Sequence, residues 1–152
     1  MLWTAFAVEA AELEGRGRAL LAEEHGYSFL ATVAADGSPR VHPVAPILSE
    51  RGLFVAVARR SPKFADLLRD PRVALHATVR PPLDEEFAVR GTAREVEGDD
   101  ARAAAVAGAR GGAELSDGMA LFEIDLTEVG WAEWSGGRPR RRSWRPDRRP
   151  TA

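Results

Sequence analysis

Residues 27–58, YSFLATVAADGSPRVHPVAPILSERGLFVAVA, constrain the fold more than any other part of the chain. Apolar residues alternate along this stretch in three runs, divided by Asp36-Gly37 and by a second turn signal at 49–52. Asp-Gly between alternating runs marks a tight hairpin turn, and strands joined by tight turns pair antiparallel. Further runs at 72–80, 85–97 and 118–135, the last a long strand or a strand pair, bring the expected total to six or seven strands. A sheet of that size loses its exposed edges by closing on itself. The expected fold is therefore mainly β, an antiparallel β-barrel with short helices.

Helical signals are few. Residues 1–25 read as an N-terminal helix rich in Ala, Glu and Leu, with Phe6, Leu13, Leu20 and Leu21 at roughly helical spacing and Gly15 and Gly17 weakening its middle. Ser61-Pro62 opens a short helix, because serine is a preferred N-cap and proline a preferred first residue. Phe64, Leu67 and Leu68 form its expected apolar face, and Asp70-Pro71 ends it. A further helix is expected over 99–110. Neither an internal repeat nor a linker divides the 152 residues, so a single domain is expected.

Composition excludes several chemistries. The chain has no cysteine, which rules out disulfides, thiolate metal ligands and thiol catalysis. His25, His42 and His76 lack ligand-like spacing, so no metal site is expected. No apolar run approaches a membrane span, and the N-terminus has no basic leader region, which points to the cytoplasm. Residues 138–152 carry seven arginines and one aspartate, a charge of +6. The remaining 14 basic and 22 acidic residues leave the body at −8. So acidic a body would repel a phosphate backbone, and the basic tail reads as a solvated or dimer-contacting segment, with no nucleic-acid partner.

Two segments carry a candidate site. Twenty of the 21 basic residues are arginine; the exception is Lys63, in the first turn of the helix that Ser61-Pro62 opens. A cation there opposes the helix dipole, and it makes sense if an anion such as phosphate sits on the free N–H groups at that end. Arg59 and Arg60 add positive charge just upstream. The second segment is the middle strand, which contains Pro39, Pro43 and Pro46. Proline cannot donate to a ladder, so this strand is expected at an edge, at a bulge, or against a flat ligand. Among titratable groups His42 is the candidate proton donor, although a packing role is the plainer reading. No catalytic residue is assigned.

From about Phe29 to Val96 the order of elements resembles the pyridoxamine 5′-phosphate oxidase-like superfamily, the flavin-binding split β-barrels. That order is a strand ending in Asp-Gly, a Pro-Arg-Val strand, a turn, an apolar strand, a Ser-x-Lys helix, Asp-Pro-Arg-Val-Ala, and a strand ending in Val-Arg-Gly-Thr-Ala-Arg-Glu. The resemblance implies a homodimer with FMN in a groove between subunits; in related branches the deazaflavin coenzyme F-420 replaces FMN, and others bind haem. It places the phosphate on Ser61 and Lys63, with Pro62 where better-known relatives have arginine and Arg59 within reach. It lays the ring along Arg40, Val41, His42, Pro43 and Val44, beside Ala56, Val57 and Ala58. Glu86 would touch the ring from the partner subunit, and the Ser-Trp-Arg-Pro segment at 143–146 would lie near the site. The implied function is that of a flavin- or deazaflavin-dependent oxidoreductase, or alternatively a non-catalytic flavin or haem binder.

Overall fold

The computed structural model describes residues 1–22, 26–79, 84–109, 115–135 and 137–146. His25, the break at 80–82, the end of the 99–110 helix and tail residues 147–152 lie outside the described residues. The chain runs α1 (Trp3–Glu9), α2 (Ala11–Leu21), β1 (Ser28–Val33), β2 (Pro39–Val44), β3 (Pro46–Leu48), β4 (Leu53–Ala58), α3 (Pro62–Arg69), β5 (Arg72–Ala77), β6 (Glu85–Glu95), α4 (Asp99–Val106), β7 (Met119–Ser135) and β8 (Arg138–Trp144).

All strands join one antiparallel sheet in the order β2-β1-β5-β6-β7-β4-β3, with β8 paired to β7. The two ends of that order, β2 and β3, are separated in sequence by Ala45 alone. A sheet whose opposite ends are joined by one residue must curl back on itself. The result is the expected barrel, mainly β, and split where β2 and β3 part. There are eight strands rather than six or seven, for two reasons. The proline-bearing strand is broken at Ala45, and residues expected only as a basic tail form β8.

The core fills the inside of the curl. Leu30, Val55, Leu75, Phe87, Val89, Ile124 and Val129 are all buried there, and α1 closes one end with Trp3 and Phe6. A smaller cluster of Phe54, Ala105 and Leu121 lies beneath α4. This second layer explains why β7 is buried without alternation from Ala120 to Ile124: both of its faces are covered.

The N-terminal helix is interrupted, at Ala10 and not at its glycines. Ala10 leaves the helical region (φ −139°, ψ 53°), which lets α1 bury Trp3 and Phe6 while α2 turns Leu13, Gly17 and Leu21 inward. Gly17 sits where a Cβ would overlap the rings of Phe87 and Trp3, so it is a contact point and not a weak spot.

A bulge marks the β6–β7 ladder. Arg90 pairs with Glu128 but Gly91 pairs with Leu126, leaving Thr127 extra. A Cβ on Gly91 would collide with the Asp125 carbonyl oxygen, a backbone atom that cannot swing aside. Gly91→Ala is expected to destabilise the fold by about 1–3 kcal/mol, read as a lower denaturant midpoint with an unchanged slope.

Candidate functional site

The split is defined by where pairing stops. β3 pairs with β4 over only three residues, ending at Pro46↔Val55. Continued register would set Ala45 against Ala56 and Val44 against Val57, but β2 instead swings away to pair with β1 from Val44 back to Pro39. Ala56, Val57 and Ala58 therefore lack a β3 partner, and β2 is unpaired on the same side. Pro39 and Pro43 have the same parity on β2, so their missing donors fall on one side of an edge strand, where none is needed.

Side chains sort themselves along the two lips. Arg40 and His42 are half-buried and Val44 buried, facing Thr32 and Leu30 of β1 on the inner face, while Val41 (61% exposed) and Pro43 point outward. On β4, Val57 is in the core, Ala56 is half-buried and Ala58 exposed. Val44 and Val57 can thus offer a ligand only their backbone.

The turn from β4 into α3 forms the mouth. Ser61 is extended and occupies the N-cap position, with Pro62 first in the helix. Its hydroxyl donates to the Ala58 carbonyl at 2.7 Å instead of capping the helix, and no acidic residue occupies the first turn. This N-terminus is left uncapped by any side chain. Lys63 is half-buried in that first turn and, among the described residues, joins no ion pair.

His42 lies close by. Burial, and then the charges of Lys63 and Arg40, hold its imidazole below the usual histidine range against the opposing pull of Asp66. The neutral form of the ring is thereby favoured, and its Nε2 is buried with no hydrogen-bond partner among the described groups. Among the described residues, a ring nitrogen without a partner, a helix start without a side-chain cap and an ammonium without an ion pair form a polar set that fits an anionic group such as the phosphate of a cofactor.

Asp66 holds these parts in place, and the sequence reading missed it. The expected apolar face of α3 included Leu68, yet Leu68 is 59% exposed and Asp66 is only 3% exposed. The Asp66 carboxylate accepts from Thr32 Oγ1 at 2.9 Å, Arg40 Nε at 2.9 Å and Arg69 at 3.2 Å. Burial alone would raise its pKa; the hydrogen bonds of Thr32 and Arg69 and the nearby Arg40 outweigh that and hold it below the ordinary carboxylate range. Arg69 also donates to the Val33 carbonyl at 2.6 Å. One acid thus ties β1, β2 and α3 together. The only sequence signal was that it is the sole acid in that helix.

Other candidates lie elsewhere. Arg59 pairs with Glu95 at 2.6 Å and lies 5.3 Å from the centre of the Phe64 ring, and Arg60 is exposed. Glu86 lies on β6, away from the split, at a cavity of about 330 Å³ on the outer face of the sheet. Its floor is a row of paired residues, His76, Ala88, Gly130 and Ser143, with Arg141 at the rim. The same row continues through Phe29 to Pro43 on the outer lip of the split.

The basic C-terminal segment is partly neutralised by acids elsewhere in the described residues. Arg140 pairs with Glu133, Arg142 with Glu12 and Arg145 with Glu128, while Arg141 stacks over Trp134. Trp144 packs against Phe6 and donates to Glu9, which places the Ser-Trp-Arg-Pro tryptophan at the N-terminal helices. No helix among the described residues is long and apolar enough to cross a membrane.

A split antiparallel barrel with a cation-bearing helix start at its mouth defines a split β-barrel with a candidate anion site. The chain belongs to the pyridoxamine 5′-phosphate oxidase-like superfamily: the family described as Pyridoxamine 5′-phosphate oxidase matches residues 14–134. No curated protein sequence matches the chain. Solved structures share the fold at low identity. A pyridoxamine 5′-phosphate oxidase-related, FMN-binding protein from Nostoc punctiforme is 17% identical, with 94% of this chain and 92% of that one covered and a TM-score of 0.66. A haem-binding protein from Mycobacterium smegmatis is 22% identical at a TM-score of 0.65; the match covers 83% of this chain but only 55% of that protein. A protein described as an F-420 reductase is 19% identical, with 74% and 94% covered and a TM-score of 0.55.

Proposed function

We propose that this protein is a flavin- or deazaflavin-dependent oxidoreductase acting as a cytoplasmic homodimer, with all 152 residues serving one cofactor-binding domain. The observation that carries the proposal is the start of α3 at the mouth of the split, which has no side-chain cap and holds Lys63, a cation with no ion pair among the described residues. Ser61, the Lys63 ammonium and the Lys63 N–H would hold the phosphate, since Pro62 has no N–H and those of Ser61 and Phe64 are already donated to backbone carbonyls, and Arg40–Val44 with Ala56–Ala58 would flank the ring. Glu86 would approach from the partner subunit across the outer face, where Phe29 (46% exposed), Val41 and Pro43 offer an apolar surface.

The bound cofactor supplies the hydride chemistry. The chain's part is to anchor, orient and exclude water: rigid Pro43 and small Ala56 and Ala58 leave a flat slot, and His42 packs on the inner face of β2 with its Nε2 buried. Titration of the purified protein with FMN and with coenzyme F-420, followed by fluorescence, tests this reading. Saturable binding of either is expected, with riboflavin much weaker for want of a phosphate. Failure of both to bind would remove the proposal.

A non-catalytic flavin or haem binder is the second reading. Its support is that Arg40 and Arg59 are already committed to Asp66 and Glu95, which thins the phosphate grip. Turnover of reduced deazaflavin or NAD(P)H with an electron acceptor separates the two readings.

A further inference from the structure

Arg59 stands at the end of β4, two residues before Ser61, with its backbone fixed by a hydrogen bond to the Gly118 carbonyl. Its guanidinium lies beside the Phe64 ring, next to Lys63 in the first turn of α3, but is tied to the Glu95 carboxylate at the end of β6. Both partners keep contact with solvent, Arg59 at 42% and Glu95 at 19% exposure. An ion pair this exposed is weak enough to be exchanged, and a phosphate offers arginine a stronger, two-point partner than a carboxylate held by a single contact.

We propose that Glu95 sets the affinity of the anion site by holding Arg59 aside as a reserve cation, which moves onto the phosphate when the cofactor binds. This inference rests on reading the Ser61–Lys63 turn as the phosphate site. Glu95 thus works against binding: the site must break an internal ion pair before its full charge is available. A carboxylate that merely props up β6 would show no such opposition.

The test is a double-mutant cycle read by FMN fluorescence titration, with no turnover involved. Glu95→Gln keeps the shape of the side chain and is expected to tighten FMN binding about threefold to fivefold, the scale of a partly exposed ion pair. Arg59→Gln is expected to weaken binding about tenfold. In the Arg59→Gln background, Glu95→Gln should have no effect, and riboflavin should be insensitive to both changes. No tightening by Glu95→Gln overturns the proposal, and so does tightening that persists without Arg59, because a general field effect would then suffice. Lys63→Ala separates the levels of failure. If it weakens FMN binding while Glu95→Gln is silent, only the role of Glu95 falls; if neither has any effect, the phosphate site falls with it.

Discussion

Lys63→Ala is expected to weaken FMN binding about 10- to 150-fold, the loss of one charge-assisted phosphate contact of about 1.5–3 kcal/mol. Lys63 sits half-buried in the first turn of α3, at the positive end of the helix, with no ion-pair partner among the described residues. A cation there costs the free protein a few tenths of a kcal/mol. The substitution should therefore leave stability unchanged or slightly raised while affinity falls. A lysine retained only for structure would give no such opposite movement. Unchanged affinity for both FMN and coenzyme F-420 would sink the phosphate assignment, and riboflavin is the internal control.

Asp66→Ala should cost about 2–4 kcal/mol of stability. Removing one member of a buried ion pair is among the most damaging single changes. The estimate sits below the extreme because Arg40 and Arg69 can turn to solvent, whereas the Thr32 hydroxyl is buried and loses its acceptor. The pH dependence has a definite sign. The folded-state pKa of Asp66 is depressed, so its contribution is fully present above the ordinary carboxylate range and is lost as pH falls through the lowered folded value. The gap between wild type and Asp66→Ala should therefore shrink in acid. A gap that widened as pH fell would contradict the assignment of Asp66 as a stabilising, ionised hub.

Much of this architecture was legible from local chemistry. Asp36-Gly37 marked a turn between paired strands, and Gly37 indeed adopts a positive φ of 84°. Pro39 and Pro43 marked an edge, and β2 is one. What escaped were features decided by distant partners. The break at Ala45 is set by which strands β2 and β3 each pair with, and β1 and β4 lie on opposite sides of the split. β8 was hidden by charge, since nothing in an arginine run announces that Glu133, Glu128 and Glu12 will receive it.

The same limit applies to the site. Ser61-Pro62-Lys63 could be read directly because helix starts have a local signature. Asp66 could not: it breaks the apolar face expected of α3, and two of the three partners that make its burial tolerable, Thr32 and Arg40, lie 34 and 26 residues away. Gly17 shows the same error in reverse. Judged by helix propensity it was a flaw, yet the ring of Phe87 fills the space its side chain would need. Propensity describes a residue alone, and the fold placed these residues in company.

The prolines of β2 have a further consequence, for the protein in a crowded solution. A strand left unpaired so that a slot stays open also exposes an edge onto which another chain could add a strand, the first step of aggregation. Pro39 and Pro43 put no N–H on that edge, so an incoming strand would find only part of a ladder. Replacing Pro39, which lies outside the slot's rigid wall at Pro43, would restore one N–H to that edge and weaken its guard against self-association.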